Sequence, residues 1–436
     1  MSRHIVKNFL QTVEKNEHFN ILKFKKNNTW YNFSRKDLLN NINNCIYVLN
    51  DKNVKKGDRV AYKGNNSTEW ISWNLASQSI GAVWVPMYEQ QTKDQCQYIV
   101  NNCEPKVLIT NQDLNIKNTM TIKNTINDLK FYDSNHININ YNDLSTLIYT
   151  SGTTGNPKGV MLTQENILSN IEAINMRFNN IPSGLTSLNI LPWAHIYGLT
   201  CELYYNLFHD NITALCSDKL KFIDECKEVE PEVLYVVPKV LETVKAKTKF
   251  LDKPIINNLL PFVVNRLFGD NLMNMFIGGA KLDANTREYF EKSNILVCEG
   301  YGCSETSPMV SVNHLYDPRN SDSVGKIMDN LDVKIINEEI HVSGPNVMKG
   351  YWGNKKLTSE TIINKWLHTG DLGYFDNDGR LIINGRKKDL IVTSGGDNIS
   401  TQKIENLFTE YIEIEQIAIN KSLVQFRQVL AHQSLL

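Results

Sequence analysis

The residues best suited to do chemistry lie in a few short stretches. The first is Tyr149-Thr150-Ser151-Gly152-Thr153-Thr154-Gly155-Asn156-Pro157-Lys158-Gly159-Val160. Small residues let a backbone approach a ligand closely, and successive N–H groups in such loops form anion-binding concavities. Ser151, Thr153 and Thr154 add hydroxyl donors, and Lys158 supplies a point charge suited to phosphate. Pro157 biases Asn156 away from helical geometry, and Gly159 stands where a Walker A loop needs Ser or Thr, so this is a different kind of polyphosphate cradle. The second stretch, Glu299-Gly300-Tyr301-Gly302-Cys303-Ser304-Glu305-Thr306, offers an aromatic face for a base, glycines, a hydroxyl and a carboxylate. Glu305 fits a Mg²⁺ ion held by one carboxylate plus phosphate oxygens. In the third, Thr369-Gly370-Asp371, a carboxylate could accept from two ribose hydroxyls.

Taken singly, each stretch has a plainer reading. A Gly/Ser/Thr-rich loop is often just solvent-facing. His195, in Pro192-Trp193-Ala194-His195-Ile196-Tyr197-Gly198, could be a satisfied core residue. Asp371 could be a turn residue, and the basic run around Arg386, Lys387 and Lys388 a solvated loop.

The elements that must position these groups alternate between strand and helix. Leu144–Tyr149 reads as a buried strand, and Gly159–Thr163 as a second one after the loop. Earlier, Lys23-Phe24 and Thr29–Phe33 suggest a hairpin, and Ser34 caps a helix over 35–49. A strand near Val60, a helix over 67–80 and the strand 81–87 form a βαβ unit, which implies a parallel sheet, and the pattern repeats over 96–109. Residues 115–142 are polar and aperiodic, as in a connection. A helix over 164–178 is followed by a strand at 188–191, then strand, helix and strand over 212–244, and a strand at 275–280 closing on Gly278, Gly279 and Ala280. Asp378-Gly379 marks a hairpin turn.

Composition bounds the function. The 436 residues are 42% hydrophobic and 21% charged, with a formal net charge of −1. That size implies two or three domains or subdomains, and near-neutrality gives no sign of nucleic-acid binding. Asparagine is frequent, a bias attributable to base composition. Eight scattered cysteines form neither a CxxC pair nor a zinc-spaced cluster, as expected of free thiols in a reducing compartment. With neither a signal-like leader nor a run long and apolar enough to span a bilayer, the expected location is cytoplasmic, with peripheral membrane contact possible.

The order of these motifs, from about residue 20 to 420, resembles the adenylate-forming (AMP-binding) enzyme superfamily, and most of all the long-chain fatty acyl-CoA synthetases. The resemblance implies an α/β fold: a large N-terminal domain of layered sheets and helices with a small β-barrel subdomain over 1–387, then a small α+β C-terminal domain from the hinge at Lys388. It implies ATP, Mg²⁺ and coenzyme A, with a carboxylic acid as substrate. Ser151, Gly152, Thr153, Thr154, Gly155 and Lys158 would hold the β- and γ-phosphates. Gly278, Gly279 and Ala280 would lie against adenine, and Tyr301 and Gly302 would stack with it. Ser304 would reach the α-phosphate or acyl carbonyl, and Glu305 the metal. Asp371 and Arg386 would hold the ribose, His195 would stand beside the substrate carboxylate, Trp366 would line the acyl entrance, and Gly395 and Gly396 would flank the pantetheine path.

Two departures stand out. Thr401 and Asp397 occupy positions where proline and glutamate are common in the family. Only 48 residues follow Lys388; the segment reads helix then strand up to Ile419, loses the pattern from Ser422 onward, and has no late lysine to meet the substrate carboxylate. The expectation is an incomplete C-terminal domain with an unpaired sheet edge and weakened catalysis, since one missing transition-state contact costs on the order of 10²–10³ in rate. Three functions therefore stand side by side: a fatty acid–CoA ligase, an aryl-CoA ligase or other adenylating enzyme, and a catalytically impaired nucleotide- or acyl-binding remnant.

Overall fold

The computed structural model describes residues 2–124, 139–150, 156–248, 259–314, 322–392, 398–400, 414–419 and 424–428. Three sheets make up most of it. The first has seven strands, in the order Gly350–Tyr351, Lys158–Thr163, Leu144–Thr150, Val83–Met87, Arg59–Lys63, Val107–Ile109 and Met120–Ile122. Its centre is parallel, as the βαβ pattern requires: Arg59–Lys63 pairs in parallel with both Val83–Met87 and Val107–Ile109. The crossover helix Thr68–Ser79 starts at Ser67, whose side chain accepts the N–H of Trp70 at 3.1 Å. Met120–Ile122 adds an edge strand inside the supposed connection. It is three residues long and mostly exposed, so it leaves no periodic signal.

The second sheet has nine strands, running from Lys326–Ile327 through Met309–Val312, Leu296–Gly302, Asn274–Ile277, Val233–Val236, Thr186–Asn189 and Ile212–Leu215 to the hairpin Asn20–Lys26 and Thr29–Ser34. The sixth of these lies two residues earlier than the apolar run 188–191 suggests, because Thr186 and Ser187 are buried in the sheet despite their hydroxyls. The chain then enters a wide π-helical turn, Tyr197–Tyr204, continued by the short helix Tyr205–Phe208. Every residue of that pair is buried, so no amphipathic stripe announced it.

Helix Thr68–Ser79 is buried almost all round. Trp70 meets Trp84 and Trp193 edge-on at 5.2 and 5.5 Å, and Tyr62 packs on Trp84 at 5.5 Å. Two of its buried amides accept from other elements: Tyr204 donates to Asn74 at 2.8 Å, and Gln164 to Gln78 at 2.8 Å.

The third sheet is the expected small β-subdomain, an open antiparallel half-barrel of Asp332–Ile336, Glu339–Ser343, Ile362–Ile363, Trp366–Phe375 and Leu381–Arg386. Beyond it, Leu390–Val392 pairs with Asn398–Ser400, and Ile414–Ile419 with Val424–Gln428. The last of these strands falls where the sequence loses the family pattern. The helix expected before Ile414 lies outside the described residues.

Candidate active site

The phosphate loop joins two antiparallel strands, with Thr150 paired to Lys158 and Tyr149 to Gly159. A hairpin, and not a strand running into a helix, therefore presents the loop, as Pro157 and Gly159 require. Ser151, Gly152, Thr153, Thr154 and Gly155 lie outside the described residues, but the positions on either side of them do not. Lys158 sets its ammonium 5.6 Å from the centre of the Tyr351 ring. The Tyr351 hydroxyl donates to Glu305 Oε1 at 2.8 Å, and burial, then the Glu305 charge, push that phenol well above its usual value. The lysine and the metal-binding carboxylate candidate thus share one aromatic residue.

Glu305 stands in a tight turn, Ser304–Thr306, after the strand Leu296–Gly302. Its carbonyl accepts the N–H of Met348 at 2.8 Å. Asn346 donates to the carbonyls of Thr306 and Met309 at 2.8 and 3.1 Å, and Asn170 donates to Met309 O at 3.0 Å. Asn166 reaches Pro345 O and Val347 O at 2.8 and 2.9 Å. These three buried asparagines clamp the turn. Reading asparagine as compositional bias passes over them, although Asn166, three residues after the cap Thr163, and Asn346, after Gly344-Pro345, stand at recognisable turn positions.

Gly302 is fixed by the backbone beside it. A Cβ there would lie 1.9 Å from the Pro308 carbonyl oxygen, across the bulge between Leu296–Gly302 and Met309–Val312. At Gly278 the space for a Cβ is taken by the Tyr197 ring, 3.2 Å away, and Tyr197 donates to Phe276 O at 2.8 Å. Packing within the chain therefore already demands glycine at 302, whereas at 278 the Tyr197 ring would have to give by a few tenths of an ångström.

Asp371 is buried beneath the cleft. Tyr301 donates to its Oδ2 at 2.7 Å, and Arg386 Nε to its Oδ1 at 2.8 Å. Burial pushes the Asp371 carboxyl above its ordinary value, while Arg386 and the Tyr301 hydroxyl pull it down. The Asp371 N–H donates to Thr369 Oγ1 at 3.0 Å, which locks the Thr-Gly-Asp turn. His195 Nδ1 accepts the Tyr197 N–H at 3.2 Å, so a neutral ring carries its proton on Nε2. Burial lowers its pKa and favours that neutral form.

Lys158, His195, Gly278, Gly279, Tyr301, Gly302, Ser304, Glu305, Arg386 and Lys388 all line one cleft of about 370 Å³. Asp371 joins it through Tyr301 and Arg386. Ala280 follows Gly279 on the exposed turn and is not in the lining. Trp366 does not line it either: its ring lies under Lys334, 3.9 Å from the ammonium, and Leu367 and His368 face the cleft in its place. Gly395 and Gly396 lie outside the described residues. Tyr351 and Cys298 are further lining residues that the motifs did not single out.

Fold and cleft together define an adenylate-forming enzyme. The profile of the AMP-binding enzyme family matches residues 9–352, and the chain belongs to that family. Within the family it is an acid–thiol ligase of the AMP-forming type. It is 27% identical to the long-chain-fatty-acid–CoA ligase FadD15 of Mycobacterium bovis over 459 aligned positions, covering 89% of this chain and 75% of that protein. It is 29% identical to 2-succinylbenzoate–CoA ligase of Bacillus cereus, covering 84% of this chain and 75% of that one. The crystal structure of ATP-bound MatB from Rhodopseudomonas palustris superposes with a TM-score of 0.81 at 24% identity, over 96% of this chain and 86% of that one. Among the described residues no helix is long and apolar enough to cross a membrane.

Proposed function

We propose that the acid is a fatty acid, activated with ATP and Mg²⁺ and passed to coenzyme A. The observation that carries this reading is a small apolar cavity behind the cleft, which shares Tyr197, Phe276 and Met309 with it. Its other walls include Ile174, Phe178, Ile181, Leu185 and Val233. At about 30 Å³ it is far smaller than the 370 Å³ cleft in front of it. An alkyl tail extending past Tyr197 and Phe276 would reach these apolar walls, and burying each methylene there contributes about 0.8 kcal/mol.

In the first step the carboxylate oxygen attacks the α-phosphorus and pyrophosphate leaves; in the second, the thiol sulfur attacks the acyl carbonyl, AMP leaves and the thiol proton passes to solvent. Phosphoryl chemistry of this kind depends on positioning and charge stabilisation. Lys158 and the 151–155 loop would neutralise the β- and γ-phosphates, and Asp371 with Arg386 would hold the ribose while Tyr301 stacks on adenine. His195, its Nε2 protonated, would donate to the substrate carboxylate. Glu305 suits Mg²⁺ because Tyr351 occupies only Oε1, which leaves Oε2 for the ion; bound there, the ion would screen phosphate charge. Lys388, in the turn Lys387–Asp389 at the cleft wall, would be the hinge between 1–387 and 388–436.

An aryl acid is the second reading, favoured by the small volume of the apolar cavity and by the 2-succinylbenzoate ligase relative. Acid-dependent ATP–pyrophosphate exchange separates the two. Exchange supported by a long saturated fatty acid and not by benzoate is expected; exchange with the aromatic acid alone would refute the fatty-acid reading. Tight ATP binding with no exchange under any acid would leave a binding protein.

A further inference from the structure

Among the described residues, one cluster of ligating side chains, which reaches the cleft wall through His368, has no role in the activation chemistry proposed above. His341 and His368 are cross-strand partners in the half-barrel, His341 on Glu339–Ser343 and His368 on Trp366–Phe375. Their rings lie 4.0 Å apart, centre to centre, at 33°. Glu339 stands two residues before His341 and so projects from the same face. One ligand atom from each of the three falls within 4.8 Å of the others. His341 is 4% exposed, and its Nδ1 is buried with no hydrogen-bond partner. A buried imidazole nitrogen left unpaired is costly, and the Nε2 of the same ring stands 3.9 Å from Glu339 Oε2, a gap that an ion held by both would fill.

We infer that Glu339, His341 and His368 form a binding site for a divalent transition metal of the zinc class, separate from the Mg²⁺ carboxylate Glu305. The ligand set argues for that class. Two imidazoles and one carboxylate suit zinc, cobalt or nickel, whereas Mg²⁺ prefers oxygen ligands and keeps its waters. Glu339 is already oriented: Oε1 accepts the Gly370 N–H at 3.1 Å, and Oε2 accepts from Lys387 at 3.0 Å. Outer contacts of this sort fix a ligating carboxylate in place. Lys387 also competes with a cation for Oε2, but its side chain is mostly exposed and can swing to solvent. A bound ion would tie the two strands together three residues before Asp371.

The test uses the full chain, stripped with a chelator and titrated with Co²⁺. The expected result is one Co²⁺ per chain, with visible d–d absorption of a low-coordinate nitrogen–oxygen site and no thiolate charge-transfer band. His341→Asn should weaken binding by roughly tenfold or more, the scale on which even outer partners act, and Lys387→Met should strengthen it. Absence of binding by the unaltered chain, or a thiolate band placing the ion on cysteine, would overturn the inference. Should His341→Asn fail to fold, Lys387→Met decides: stronger binding supports the site, and unchanged affinity refutes it. None of these readings depends on ligase activity.

Discussion

Glu202 shows how much one buried side chain can set. It lies in the π-helical turn with no exposed surface, its Oε2 accepts from Asn189 at 2.5 Å, and its Oε1 has no partner. Burial pushes its pKa up to about 8. The folded protein therefore keeps a proton that the unfolded chain gives up above pH 4.5. Stability contributed by this group must fall as pH rises from about 4.5 to about 8, by on the order of a few kcal/mol, and level off above. Glu202→Gln keeps an acceptor for Asn189 and removes the titration. Urea unfolding followed from pH 5 to 9 should show the variant gaining on the parent as pH rises; parallel curves would refute the assignment. The sequence gives no hint of this acid, because nothing in Thr200-Cys201-Glu202-Leu203 marks a carboxylate as buried. Tyr301, Glu305 and Asp371 could be singled out in advance because glycines and hydroxyls surround them in a fixed order. Their contacts could not, since Tyr301 meets Asp371 across 70 positions and Glu305 meets Tyr351 across 46.

At the scale of elements, the turn carrying Glu305 depends on side chains from distant segments. Asn346→Ala would leave the Thr306 carbonyl with only the longer Asn170 contact at 3.4 Å. The expected loss is about 1–3 kcal/mol of stability, read from denaturant midpoints. Because Asn170 shares both carbonyls, the double variant should lose less or more than the separate effects combined, and strict additivity would argue against a common clamp. Gly302→Ala should be harsher, since the Pro308 carbonyl cannot retreat without unpairing two strands. Loss of soluble protein, or a stability drop beyond about 4 kcal/mol, is expected. The βαβ units, the capped helices and the Asp378-Gly379 hairpin were legible because each has a local signal: period, cap or turn residue. The π-helical turn and the edge strand Met120–Ile122 were not, the first being apolar on all sides and the second too short. Trp366 was placed in the lining from its motif alone, which carries no sign of the Lys334 ammonium that its ring packs against.

For the whole molecule, the test is whether separated segments respond to one ligand. Mg–ATP at a hundred times its Kd should stabilise the chain by about 2.7 kcal/mol, seen as a rise in Tm. Asp371→Asn retains an acceptor for Tyr301 but removes the charge facing Arg386, and should cut ATP affinity by roughly ten- to a hundredfold, the worth of a charge-assisted hydrogen bond. If that variant kept the full ligand-induced rise, the ribose role of Asp371 would fall.

Tyr351 has a wider consequence. It belongs to a two-residue strand paired to Val160 and Met161, just past the phosphate loop, yet its hydroxyl holds Glu305 and its ring carries Lys158. A shift of that small strand would carry the cation for the outer phosphates and the carboxylate for the metal in the same direction. With Lys158 and Glu305 in the roles proposed for them, charge neutralisation on both sides of the triphosphate would be geared through a single phenol.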